Sequence, residues 1–416
     1  MPETPIEAIE RKLLERIDIL ASISSDFDGI TRIFLSKEMD TAAKLIKLWM
    51  NNAGLVANVD PLQNVIGSWP SENAKAPAIH LGSHYDTVIN AGRFDGILGL
   101  LLSIAAIEVL QTEGYTPKHY INVLGFCDEE GVRYHTTFLG SSFLCGTFDL
   151  EALDKVDEQG ISMREALKAR GYDAEKIEAT KPIILPGDLF IEAHIEQGPA
   201  LEALDLPLAV VSGIAAQTRL EVKVTGKAGH AGTTPPKLRQ DALTAAAEMI
   251  LEVEKTLKSE ESLRATVGHI KISPNASNAI PGQAVFSIDL RYPNYDGLQT
   301  TKASLMKALK AIANQREVGI VIDCVQETGS SECDPFIQET MCHSLSKFQE
   351  GAPTLLSGAG HDTLKIAQTC HTGMMFIRCR DGLSHHPDEY TSPQDIRAAL
   401  KAWVEIIRSL DQELDS

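Results

Sequence analysis

The 416-residue sequence contains no Cys-x-x-Cys pair. Its seven cysteines are scattered and odd in number, which argues against a disulfide framework and fits reduced thiols in a cytoplasmic enzyme. Positive charge is also scarce. Thirty-eight Lys and Arg face 57 Asp and Glu, a formal charge of −19. That deficit excludes a nucleic acid or an anionic membrane surface as the principal partner. It leaves room for a small anionic substrate, because a local Arg outweighs a distant net charge. Long apolar runs are missing too. Residues 1–16 are charged and polar and lack an apolar signal core. The longest apolar stretch, 97–110, is broken by Ser103 and Glu108 and falls short of the ~20 residues of a membrane span. It reads as a buried helix. No internal repeat or low-complexity segment stands out.

What remains is an ordinary soluble composition, 44% apolar and 23% charged, in a chain long enough for two or three domains. Helical periodicity covers 5–22 and 37–53. Short apolar runs at 78–81, 120–126 and 189–193 read as buried strands, and alternation with helices predicts an α/β layer structure with a largely parallel sheet. In such sheets, sites gather beyond the carboxyl ends of the strands. The runs end in His84, Asp86 and Asp95, in Asp128, Glu129 and Glu130, and in His194. Three separate strands ending in imidazoles and carboxylates predict a metal site and a hydrolase.

The pattern changes near Val211. Residues 219–224 alternate polar and apolar; 238–257 reads as a helix, 265–272 and 283–291 as strands, 298–313 as a helix and 319–325 as a strand. This β-α-β-β-α-β order is that of a split, ferredoxin-like unit. The expected organisation is a catalytic domain over 1–212 and 328–416, interrupted by an inserted α+β unit over 213–327. The segments 353–357 and 374–379 resume the buried-strand pattern.

Where thiolates are absent, zinc takes His nitrogen and carboxylate oxygen. Two adjacent ions, ~3.5–4 Å apart, need a shared carboxylate. Asp95 suits that role, because Gly92 and Gly96 permit close backbone approach. Asp86, two residues after His84, is expected to hydrogen-bond the far nitrogen of that ring. Glu129 and Glu130 should diverge, one as ligand and one as base. A fifth ligand is expected from Ser384-His385-His386, where two imidazoles compete. In the inserted unit, small residues surround His230, and Asn278 with Arg291 would form a clamp for a carboxylate.

Together the segments GSHYDT, GRFDG, DEEGVRY, HIEQGP, GHAGTTP, NAIPG and SGAGHD resemble the di-zinc aminoacylase and carboxypeptidase superfamily. Within it, HIEQGP and GHAGTTP resemble the amidase, hydantoinase and carbamoylase branch, from about Asp28 to the C-terminal helix. The resemblance implies a zinc-peptidase-like catalytic domain with a lid domain that also pairs a homodimer. It implies two divalent ions, zinc by default, with manganese, cobalt or nickel as alternatives. The implied ligands are His84, Asp95 (bridging), Glu130, His194 and His385, the last from a Ser-His-x-Pro-x-Glu pattern. Glu129 is the implied base and Asp86 the implied partner of His84. His230 would reach the partner's site. Gln197, Gln217, Asn278, Arg291 and the wall at Gly360 and His361 would bind substrate. The implied reaction is hydrolysis of a ureido C–N bond in a small carboxylate. The segment 128–141 is most similar to bacterial allantoate amidohydrolases, which makes allantoate the expected substrate. N-carbamoyl-L-amino acids, ureidoglycolate and β-ureidopropionate are the alternatives. An aminopeptidase or dipeptidase, or a non-catalytic binding protein, is the contrasting class.

Overall fold

The computed structural model describes residues 4–71, 73 and 76–414. The chain divides into two compact units, Met1–Ser212 with Glu332–Ser416, and Gly213–Ser331.

Among the described residues, the larger unit is built on a nine-stranded sheet. Its strands are β1 (Val56–Val59), β2 (Val65–Trp69), β3 (Ile79–His84), β4 (Ile121–Phe126), β5 (Leu189–Ile195), β6 (Leu208–Ile214), β14 (Ser331–Glu332), β15 (Thr354–Ser357) and β16 (His371–Ile377). The order is β1-β2-β4-β3-β5-β16-β6-β14, with β15 also on β6. The four central strands β4, β3, β5 and β16 run parallel, and antiparallel strands flank them. The sheet is therefore mixed, with a parallel centre. Strands β3, β4 and β5 are buried along their whole length, which is why they read as unbroken apolar runs.

The helix Ile97–Thr112 is buried from Ile97 to Leu110. It packs on β3 and β5 and against the helices Pro5–Ala21 and Pro393–Glu413, so every side of it must be apolar. Its two polar interruptions are both partnered. Ser103 Oγ accepts from Trp403 Nε1 at 3.1 Å, and Glu108 meets the buried Arg16 at 2.7 Å. No described helix is long and apolar enough to cross a membrane.

The smaller unit contains β7 (Ala216–Thr225), β8 (Gly229–His230), β9 (Arg264–Thr266), β10 (Ile270–Ser273), β11 (Ala279–Ile280), β12 (Gln283–Tyr292) and β13 (Gly319–Thr328). The antiparallel order β10-β12-β7-β13 is that of the split β-α-β-β-α-β unit. Leu220, Val222 and Val224 of β7 alternate into its core with Phe286, Ile288 and Leu290 of β12, Met249 and Leu305.

Three differences from the sequence expectation have a local cause. The helix expected from 238 begins at Ala242, because Asp241 accepts from the Leu243 and Thr244 N–H groups and caps it there. The strand expected over 265–272 is two strands, interrupted around Gly268. The segment at 354–357 is mostly exposed rather than buried, because β15 pairs only with β6, off the main order of the sheet.

Candidate metal centre

Each central parallel strand delivers chemistry just beyond its carboxyl end. His84 closes β3, and the turn after it carries Asp86 and Asp95. Asp128, Glu129 and Glu130 follow β4, and His194 is the penultimate residue of β5. His385 lies eight residues beyond the end of β16, in a turn where it takes the left-handed φ of 55°.

Asp95 is the centre of this arrangement. Its Oδ1 lies 3.1 Å from His194 Nε2 and 3.6 Å from His84 Nε2, and its Oδ2 lies 3.1 Å from His385 Nε2. Glu130 Oε1 is 3.5 Å from that same His385 nitrogen. One ligand atom from each of His84, Asp95 and His194 falls within 4.8 Å of the others, and so does one from each of Asp95, Glu130 and His385. The two sets share one carboxylate, which presents a different oxygen to each. His385 and His386 are both exposed, but His386 faces away from Asp95, and its Nδ1 accepts from the Asp388 N–H at 3.1 Å.

The donor chemistry fits cations. His84 Nδ1 lies 3.1 Å from the Asp86 carbonyl and His194 Nδ1 lies 2.9 Å from the Ile195 carbonyl. Carbonyls only accept, so each Nδ1 carries a proton, and Nε2 is the ring atom that faces Asp95 and would be offered to a cation. His194 Nε2 is buried and makes no hydrogen bond. Burial pushes the Glu130 carboxyl up to about 7, with the charge of Asp95 adding to the effect, and burial drives Glu129 well above the usual range. Burial opposes ionisation of Asp95 as well, yet His194, His385 and His84 hold it well below. Buried carboxylates in this number are relieved by a cation.

The second set of contacts departs from expectation at Asp86. Its carbonyl, not its carboxylate, makes the 3.1 Å contact to His84; the nearest carboxylate oxygen is 3.5 Å away. The carboxylate instead accepts from the Glu129 and Glu130 N–H groups at 3.1 and 3.2 Å. It therefore ties the turn after β3 to the turn after β4. Behind it, the buried Arg32 donates from Nε to the Tyr85 carbonyl at 2.7 Å.

Gln197 reaches the centre: its Nε2 is 3.2 Å from Asp95 Oδ2 and 3.1 Å from Ser384 Oγ. His361 is buried behind His194, with ring centroids 4.4 Å apart and Nε2 2.8 Å from Ser357 Oγ. Burial, with His194 beside it, holds the His361 imidazole well below its usual range. Gly360 stands beside it, where a Cβ would lie 3.2 Å from the Phe138 ring. Two residues assigned no role from the sequence also act here. Glu192 accepts from Ser83 Oγ at 2.9 Å and Thr363 Oγ1 at 2.7 Å, and Glu389 accepts from the Phe94 and Asp95 N–H groups at 2.8 and 3.1 Å. The only sequence signal for Glu192 is a charge inside an apolar strand.

The smaller unit carries the remaining candidates in two separate groups. His230 pairs with Ala279, and the Ala231 N–H donates to the Asn278 carbonyl at 2.9 Å, so His230 and Asn278 are neighbours. The Gly232 N–H donates to His230 Nδ1 at 3.2 Å, which places the ring proton on Nε2. Gln217 is the register partner of Arg291, whose guanidinium grips Asp289 at 2.8 and 2.9 Å. Asn278 precedes the start of β12 and Arg291 lies near its end, and the strand from Gln283 to Arg291 alone spans roughly 27 Å at ~3.4 Å per residue. The expected Asn278–Arg291 clamp therefore does not assemble within one copy of the unit.

Comparison with known proteins agrees with this geometry. The family profile described as Peptidase family M20/M25/M40 matches residues 80–409. The chain is 37% identical to an allantoate deiminase 2 of Glycine max, over 97% of this chain and 90% of that protein. It is 35% identical to an N-carbamoyl-L-amino-acid amidohydrolase of Pseudomonas sp. (strain NS671), over 96% and 97%. A crystal structure of an amidase of the hydantoinase/carbamoylase family from Burkholderia multivorans superposes with a TM-score of 0.90 at 31% identity, covering 96% of this chain and 97% of that one. The chain belongs to peptidase family M20/M25/M40, in its hydantoinase/carbamoylase branch of amidases.

Proposed function

We propose that the protein is a binuclear metal amidohydrolase that cleaves the ureido C–N bond of a small carboxylate, with allantoate as its substrate. The observation that carries this reading is Asp95, with one oxygen facing His84 and His194 and the other facing His385. His84, Asp95 and His194 would hold one divalent ion, and Asp95, Glu130 and His385 the other. Bound there, zinc (or manganese, cobalt or nickel) supplies an acidified water and polarises the substrate carbonyl.

The chain's own groups do the rest. Glu129 is held by its N–H to Asp86, lies with Glu130 beside His84, and is not in either of the two sets that share Asp95. It takes the proton of the attacking water and returns it to the departing nitrogen. Water adds to the ureido carbon, its bond to the terminal nitrogen breaks and ammonia leaves. The resulting carbamate loses carbon dioxide, leaving the amine. His230, with its proton on Nε2, donates to the developing oxyanion. Gln217 and Arg291 receive the substrate carboxylate, which competes with Asp289 for the guanidinium.

His230 and Asn278 stand at the opposite end of their unit from Arg291. That separation supports a homodimer in which one copy supplies His230 and Asn278 to the site of the other, paired through residues 213–331. The seven free cysteines suit a cytoplasmic setting. The 35% identity to the Pseudomonas N-carbamoyl-L-amino-acid amidohydrolase keeps that substrate class as the second reading. The test is ammonia release by the metal-reconstituted protein from allantoate, ureidoglycolate, β-ureidopropionate and several N-carbamoyl-L-amino acids. Highest kcat/KM on allantoate supports the reading. Preference for an N-carbamoyl amino acid replaces the substrate, and no turnover of any of them refutes the function.

A further inference from the structure

The Gly92-Arg93-Phe94-Asp95-Gly96 turn and the Ser384-to-Glu389 turn are nearly 300 residues apart in sequence, yet one carboxylate joins them. Glu389 Oε1 accepts from the Phe94 N–H at 2.8 Å and the Asp95 N–H at 3.1 Å, and its Oε2 accepts from Ser384 Oγ at 2.8 Å. Ser384 is the residue before His385, and its hydroxyl is also 3.3 Å from Asp95 Oδ2. Glu389 is buried at 3% exposure, so these bonds are shielded from water.

Room for it is made by Gly92. A Cβ on Gly92 would overlap Glu389 Cβ and stand 2.6 Å from both Cδ and Oε1. The first glycine of the turn thus admits the carboxylate, and the second, Gly96, admits the His84 ring. Gly92 carries no left-handed φ, so an alanine there meets a steric rather than a backbone obstacle.

We propose that Glu389, admitted by Gly92, is the positioning residue that sets Asp95 against His385 and thereby fixes the cation set of Asp95, Glu130 and His385. The Glu389 carboxylate bonds to Phe94, Asp95 and Ser384, the residue before His385, so its removal loosens the His385 half of the centre more than the other. Partners of this kind orient metal ligands, and their loss costs roughly 10–100-fold in metal affinity. The inference rests on the reading of the centre as a two-ion site.

The experiment is equilibrium zinc titration of chelator-stripped wild-type, Glu389→Ala, Glu389→Gln and Gly92→Ala proteins in buffered zinc, with melting of each stripped protein recorded alongside. Wild type should bind two ions per chain. Glu389→Ala and Gly92→Ala should each keep one ion near wild-type affinity and bind the other roughly 10–100-fold more weakly. Glu389→Gln keeps an oxygen for the two N–H groups and should recover part of the loss. If Glu389→Ala does not fold, the comparison stands on the other two variants. Wild-type affinity for both ions in Gly92→Ala and Glu389→Gln overturns the proposal, and so does equal weakening of both ions. A wild type that binds no zinc overturns the two-ion reading itself, which is a different failure from the variants matching a wild type that does bind.

Discussion

Gly96→Ala puts a single methyl group into the centre. Gly96 sits at φ 67° and ψ −54°, a sparsely populated conformation that costs an L-residue roughly 1–3 kcal/mol. The new Cβ would lie 2.5 Å from His84 Cε1 and Nε2, against an unstrained carbon contact of ~3.5 Å. The imidazole must retreat by about 1 Å, and a displacement of that size at a reacting centre costs on the order of 100-fold in rate. Gly114 supplies the control: its φ is +71°, and an added Cβ meets nothing within 4 Å. Gly114→Ala should carry a positive-φ penalty without touching the site. Both stripped variants should melt a few degrees lower, at roughly 2–4 °C per kcal/mol. Only Gly96→Ala should lose ammonia release and zinc affinity. Near-normal turnover in Gly96→Ala, or an equal loss in Gly114→Ala, would refute the argument that close approach to His84 is what this glycine provides.

The remaining predictions concern roles within the site. Glu129→Gln should retain both metal ions while kcat falls by roughly 100- to 10,000-fold; substantial remaining kcat removes Glu129 as the base. His385→Ala should lose metal and activity while His386→Ala keeps both, since only His385 faces Asp95; the reverse result reassigns the ligand. Arg291→Ala should raise KM for carboxylate substrates more than it lowers kcat, and an unchanged KM sinks the clamp. A random mixture of inactive His230→Ala and Glu129→Gln subunits should regain about a quarter of wild-type activity, because half the dimers hold one intact composite site. No recovery in verified heterodimers contradicts the exchange of His230 between copies.

The parallel strands were legible because burial on both faces writes them as apolar runs, and the charged residues that end them stand out against that background. The antiparallel unit was legible in its order but less in its limits, since Gly268 and Asp241 act through local geometry rather than periodicity. Contacts across the sheet were not legible. Glu389 meets Asp95 only because β16 and β3 both flank β5, and Glu192 reaches Thr363 only once the helix Asp362–Ile366 packs on β5. The Asp86 carboxylate stands 3.5 Å from His84 Nδ1 rather than in its shortest contact, for a related reason. Spacing within one turn pointed its carboxylate at His84, but two N–H groups from the turn after β4 offered that carboxylate better partners. Within one copy Asn278 and Arg291 stay apart, because a ten-residue strand separates what sequence proximity had joined.

The central claim is that two cations joined through Asp95 drive hydrolysis of a ureido carboxylate. Its most direct test is ammonia release from allantoate by the stripped protein as zinc or manganese is returned in measured equivalents. Activity should be absent without metal and reach its plateau at two equivalents per chain. Full activity in the stripped protein, or a plateau at one equivalent, would contradict it.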